Sequence, residues 1–468
     1  MLDDFKLLIG GKLVDGDGSM DVINPATEKS ISRCPRASKE QFDLAVRAAK
    51  AAYPGWGATP IPTRQKVLSA IADQIETNRE NMARLLTLEQ GKPLSEATLE
   101  VGITAAFFRY AADRSYDTRV LVDKDNQKVE LLRRPLGVVA AIIPWNFPLM
   151  ILAFKMPLAM LTGNTMVVKP AATTPLATLF FAQLIADVVP PGVVNVVTDA
   201  NDLGDVLTSH PDVAKVAFTG STATGMKVMA NAAKTMKRFS LELGGNDAGI
   251  VLDDVDPATI APAIFKGAFF NNGQVCLALK RLYVHESKYE AICTELAKLA
   301  DAALVGDGLE QGTAIGPLQN AVQYEKVKGY LEDARENGRI VAGGEVPDGP
   351  GYFVKPTIVA DIVEGARLVD EEQFGPILPV LKFKTVDEAV RRANATSYGL
   401  GASVWSSDRS RAREIALRLE AGTVWINQHI DLAPNIPQAG TKRSGIGVEI
   451  GEEGMLEYTQ IQVLNEAI

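Results

Sequence analysis

Between residues 137 and 236 the chain repeats one rhythm: a short apolar run, then a stretch of helical length. The apolar runs fall at 137–143, 164–169, 193–197 and 215–218, and the helical stretches at 149–161, 175–189, 203–209 and 222–236. The first run, GVVAAII, has no polar member, as a strand buried on both faces requires. Strands alternating with helices point to a parallel sheet covered on both sides. Such sheets receive nucleotides at the carboxyl ends of their strands. A second α/β block runs from Glu242 to about residue 425. Its markers are a helix start at Asp256-Pro257, an apolar run at 280–284 and a capping box at Thr385 and Glu388. At 468 residues the chain exceeds a single core, so two or three domains are expected.

The flanking regions carry less information. Ser38 and Gln41 form a capping box ahead of a helix with Phe42, Ala45, Val46 and Ala49 on one face. More helices follow to about residue 116, with Gly91-Lys92-Pro93 ending one of them, and all read as scaffold. Residues 120–134 alternate weakly and predict a hairpin, whose edge a subunit contact would cover.

Hydrophobic residues make up 47% and charged residues 22%, a globular balance. The net charge of −9 argues against nucleic acid or an anionic membrane as partner. Three cysteines (Cys34, Cys276 and Cys293) and three histidines offer no disulfide framework and no metal-ligand spacing, so no metal is expected. The most apolar run, 176–189, contains Gln183 and Asp187 and falls short of the roughly 20 residues of a membrane span. The acidic start, MLDDFKLLIGG, is unlike a signal peptide, and a cytoplasmic location is expected.

Chemistry concentrates at the ends of the apolar runs. Cys276 lies in FFNNGQVCLALKR, after a helix that starts at Pro257 and stops at Gly273, and before a strand. A turn there presents the sulfur, although a lone cysteine is more often a small buried hydrophobe. Asn146 sits in PWNFP at the end of the first strand, where two prolines stiffen the turn and an amide can face an oxyanion. Glu242 lies between Leu241 and Leu243, where desolvation raises a carboxyl toward a general base's range. Lys169 ends the second strand and could meet a ribose or phosphate. The stretch FTGSTATG, 218–225, follows a strand and opens a helix. Gly220 permits close approach, Ser221 can donate a hydroxyl, and the helix N-terminus favours phosphate.

With PWNFP, VVKPA, FTGSTATG, LELGG, FFNNGQVC and EEQFGP in this order and spacing, nearly the whole chain resembles the NAD(P)-dependent aldehyde dehydrogenase superfamily, in its hydrolytic, non-acylating form. The resemblance implies a Rossmann-like cofactor domain (1–116 with 136–241) and a second α/β catalytic domain (242–430). It also implies an oligomerisation arm (117–135 with 455–468) and a returning segment near the substrate entrance (431–454). It assigns Cys276 as nucleophile, Asn146 with the Cys276 N–H as oxyanion hole, Glu242 as the base for hydrolysis, and Lys155 as a lysine below the site. NAD or NADP would lie against Pro144, Trp145, Lys169, Ala172, Thr219, Gly220, Ser221, Gly225, Leu243, Gly244, Glu372 and Phe374. Phe147, Ile151, Phe154, Val275 and Leu277 map to the aldehyde tunnel. The expected assembly is a homodimer or homotetramer, with the tail at 458–463 joining the hairpin of a partner subunit.

Departures from the family pattern matter. Ala172 replaces a glutamate that binds ribose and repels a 2′-phosphate, which implies that NADP is accepted. Ala223 replaces another glutamate. Gln438, Ala439 and Val448 alter the usual C-terminal motif. The apolar tunnel residues favour an aliphatic or aromatic aldehyde over a semialdehyde acid. Three rivals stand beside this reading, one of them a non-enzymatic binding protein on the same fold, whose mark would be loss of Cys276, Glu242 or Asn146. A CoA-acylating relative would lack the Glu242 base. A cysteine hydrolase would need His285 beside Cys276.

Overall fold

Every residue of Val138–Ile142 and of Thr165–Lys169 is buried, because helices cover both faces of the sheet they share. A computed structural model describes residues 4–468; residues 1–3 of the expected first domain lie outside the described residues. The eight strands of this sheet run in the order Lys12–Val14, Leu7–Ile9, Val194–Val196, Thr165–Lys169, Val138–Ile142, Val213–Thr219, Arg238–Glu242, Gly445–Ile446. The five central strands are parallel, and the outer ones join antiparallel. From Val138–Ile142 the chain first winds toward one edge, then returns to build Val213–Thr219 on the other side. That reversal opens a crevice at the carboxyl ends of these two strands. Pro148–Leu161 is buried along its whole length, as a helix apolar on all sides must be.

A second sheet has the order Arg339–Ala342, Thr357–Ala360, Ile377–Phe383, Leu279–His285, Asp247–Val251, Gly401–Trp405, Thr423–Ile426. Only its edge strand Arg339–Ala342 is antiparallel. A third sheet joins the hairpin Arg119–Lys124 and Gln127–Pro135 to the tail Thr459–Ala467. Among the described residues, no helix is long and apolar enough to cross a membrane.

Several expectations need correction. Glu242 ends a strand of the first sheet, paired with Thr219, so the second α/β unit begins after it. The tail pairs along its full length with the chain's own strand Gln127–Pro135 and lies at the edge of that sheet, so its other edge stays open. The helix before Cys276 ends at Phe269, not Gly273. Asn271 and Asn272 then take left-handed conformations (φ 49° and 57°), which asparagine tolerates. The helix expected over 222–236 is Thr222–Ala233. Glu388 caps the N–H of Lys384 rather than that of Thr385, so the expected box is only half formed; the Ser38–Gln41 box is complete.

Candidate active site

The turn that carries Cys276 is held from several sides. Asn271 donates its side-chain amide to the Asn146 carbonyl (3.0 Å) and its backbone N–H to Glu96 Oε2 (3.0 Å). The Lys280 ammonium, buried beneath the turn, donates to the carbonyls of Val275 (2.8 Å) and Cys276 (2.6 Å). Asn146 donates one amide hydrogen to the Gln274 carbonyl (3.0 Å). A carboxamide nitrogen has two hydrogens, so the second is left for a ligand. The Asn146 carbonyl also accepts from Lys92 Nζ (2.8 Å), which pairs with the buried Glu100.

Cys276 is half-buried, and the Glu242 carboxyl is buried beside it. Among the described residues neither Glu242 oxygen accepts a well-formed hydrogen bond, yet thiol and carboxyl bias each other's protonation. Burial first, then the nearby Glu242 charge, pushes the thiol well above its ordinary value. Burial pushes Glu242 up to about 7, against the opposing effects of the thiol and Lys155. Lys155 Nζ donates to Glu449 Oε1 (2.7 Å), so the returning segment neutralises the cation below the site.

A cavity of about 220 Å³ opens on Cys276. Phe147, Ile151, Phe154, Val275 and Leu277 all line it. Stacked and tilted aromatic pairs, Phe147–Phe270 and Phe107–Phe154, form its walls. The two cations after Cys276 are not available to a substrate carboxylate. Lys280 serves the turn, and Arg281 donates to the carbonyls of Asn246 and Ala393 and to the Tyr283 hydroxyl. His285 lies at the far end of Leu279–His285, roughly 20 Å from the sulfur at strand spacing, which removes a cysteine–histidine pair. Cys34 and Cys293 are buried in packing positions.

The crevice between the two reversed strands measures about 580 Å³. Pro144, Trp145, Lys169, Thr219, Gly220 and Ser221 line it. Ala171 lines the crevice, and Ala172, the next residue, does not. Gly225 is a packing glycine: a Cβ there would meet the Leu243 side chain at 2.5 Å. Ser221 caps Thr222–Ala233, with its hydroxyl donating to Thr224 Oγ1 (3.0 Å), so its role is at the helix end. Lys169 is not solvated; it donates to Asp199 Oδ1 (2.7 Å). Glu372 accepts from the Gly245 N–H (3.0 Å) beside Gly244, and Phe374 meets Trp145 edge-on at 5.4 Å. These residues connect the crevice to the sulfur.

A dinucleotide fits this crevice. A Cβ at Gly220 would strike the Phe218 ring at 2.6 Å, so only glycine leaves the backbone free at that helix N-terminus. Lysine, aspartate and asparagine side chains offer partners to ribose hydroxyls, and Trp145 offers a flat face.

The structural roles of Lys92, Glu96, Glu100, Lys280 and Asp199 are not read from the sequence, where Lys92 stands only in the turn that ends a helix. Their only signal was charge inside otherwise apolar or turn-rich stretches.

The Aldehyde dehydrogenase family model matches residues 13–464. A phenylacetaldehyde dehydrogenase of Pseudomonas fluorescens is 41% identical, over 98% of this chain and 95% of that protein. An NAD+ complex of aldehyde dehydrogenase from Bacillus cereus superposes with a TM-score of 0.97 at 37% identity, covering 99% of this chain and 97% of that one. An NADP-dependent enzyme of E. coli does so at 0.97 and 36%, covering 100% and 99%. With the crevice, the cysteine turn and the intervening acids on one scaffold, this chain belongs to the aldehyde dehydrogenase family and is an NAD(P)-dependent oxidoreductase that acts on aldehydes.

Proposed function

We propose that the chain oxidises neutral apolar aldehydes, aliphatic or aromatic, to carboxylic acids through a covalent thioester on Cys276. The observation that carries this reading is the meeting of Cys276, the free Asn146 N–H and the buried Glu242 at the end of an apolar cavity.

The Cys276 thiol gives its proton to Glu242, and the sulfur bonds to the aldehyde carbon. The carbonyl π pair moves onto oxygen, where the Asn146 amide and the Cys276 N–H receive the charge. The bound nicotinamide supplies the hydride acceptor, and loss of that hydride leaves a thioester on Cys276. Glu242 passes its proton to solvent, then takes one from water as the hydroxyl oxygen attacks the thioester carbon. The C–S bond breaks, the thiolate is reprotonated, and the acid departs. Lys155, Glu449 and Glu372 set the field in which these protons move.

Pro144, Trp145, Lys169, Thr219, Gly220 and Ser221 hold the cofactor, with Glu372 and Phe374 at the nicotinamide end. The absence of a carboxylate at Ala172 supports acceptance of NADP alongside NAD. Self-association through the arm, as dimer or tetramer, and a cytoplasmic location complete the reading.

The test is a matrix of NAD and NADP against hexanal, benzaldehyde and succinic semialdehyde, read as formation of reduced cofactor, with Cys276→Ala as blank. Acid formation independent of CoA supports hydrolysis; acyl-CoA as the dominant product replaces it with the acylating reading. A large advantage for succinic semialdehyde overturns the neutral substrate class.

A further inference from the structure

The substrate cavity is apolar except for a few side chains, and these differ in what they are free to do. His429 is committed at both nitrogens, to the Leu277 carbonyl and the Ser403 hydroxyl, each at 3.0 Å. Lys266 and Asp431 are exposed, of opposite sign, and hydrated. Gln438 is different. It is 2% exposed, and among the described residues its Oε1 accepts no hydrogen bond.

Its position is built rather than accidental. Gln438 pairs with Glu449 in a short antiparallel ladder, and Glu449 is ion-paired to the buried Lys155. The next turn is tied as well, since the Gly451 N–H donates to the Pro434 carbonyl (3.0 Å), and a Cβ at Gly451 would meet Pro437 at 2.9 Å. The backbone at 438 therefore cannot drift, while the terminal amide torsion is soft and can turn either end toward the cavity.

We propose that Gln438 is a specificity-determining residue, and that the preferred aldehyde carries a hydroxyl on its apolar body, placed to meet this carboxamide. A hydroxyl both donates and accepts, so it satisfies whichever end of the amide it meets. An ammonium group fits worse, because it would lose its water with no buried carboxylate in the lining to receive it. A carboxylate fits worse for the same reason, with Lys280 and Arg281 already engaged. A purely apolar substrate leaves the buried Gln438 Oε1 unpaired, and sites that hold a polar group discriminate against analogues lacking its partner.

This inference rests on the aldehyde-oxidation reading, and the experiment separates the two. Wild type is compared on matched pairs, benzaldehyde with 4-hydroxybenzaldehyde and hexanal with 6-hydroxyhexanal, by kcat/KM. Gln438→Met and Gln438→Leu are run beside it. In at least one pair the hydroxylated member should lead by roughly tenfold or more in wild type. In either variant that preference should shrink or invert, with the apolar member gaining. No preference in wild type overturns the inference whether or not the variants fold. A preference that survives both substitutions also overturns it, since another residue then reads the hydroxyl. Failure of every aldehyde to reduce NAD or NADP overturns the oxidation reading, and this inference falls with it.

Discussion

Burial holds the Glu242 carboxyl at about 7 rather than its ordinary 4.5, and among the described residues neither oxygen accepts a hydrogen bond. Hydrolysis needs the ionised form, so kcat should rise as pH climbs through about 7. A pH profile of Glu242→Gln should lack that limb. Stability runs the other way. Between the unfolded value of 4.5 and the folded value of about 7, the unfolded chain has released the proton that the folded chain keeps, so this residue's contribution becomes less favourable as pH rises. The cost is absent below the unfolded value and complete above the folded one, at about 3 kcal/mol. Glu242→Gln should therefore raise Tm over wild type at pH 8 but not at pH 4, measured by calorimetry. Asn146→Ala removes the side-chain oxyanion donor and should lower kcat by roughly 10²–10³ with a smaller change in KM. Ala172→Glu introduces a carboxylate on a longer side chain next to Ala171 of the crevice lining, and should lower kcat/KM for NADP relative to NAD by at least about tenfold.

One helix organises the site without touching the chemistry. Leu94–Ala112 carries Glu96 and Glu100 four residues apart, hence on one face. Glu96 takes the Asn271 N–H, and Glu100 takes the N–H groups of Leu149 and Met150, capping Pro148–Leu161. Lys92, just before this helix, ties Glu100 to the Asn146 carbonyl and lies over the Phe147 ring at 3.8 Å. Removing that ammonium leaves Glu100 buried without its counter-charge. Lys92→Met should cost about 3–5 kcal/mol in denaturant titrations and lower kcat through a displaced Asn146. Adding Glu100→Gln should restore part of the stability but not the rate.

At the scale of the molecule, the arm is the most exposed apolar element. Ile461 and Val463 lie on one face of the tail strand and Leu464 on the other, all more than half exposed, and Leu121 on the hairpin is nearly so. Ile461→Glu with Val463→Glu should shift sedimentation toward monomer; an unchanged assembly would remove the arm from the interface.

The apolar run GVVAAII, the PWNFP turn and the lone Cys276 between helix and strand were legible because period, turn chemistry and residue type are local properties. They sufficed for the parallel sheet and for placing Cys276 on a turn between a helix and a strand. Lys92, Glu100, Lys280 and Glu449 were not legible, because a charge declares its role only when burial denies it water and a distant partner replaces that water. The same holds for the tail, whose strand pattern is local but whose partner is not, and for Gln438, whose unpaired amide exists only once the chain has closed around it.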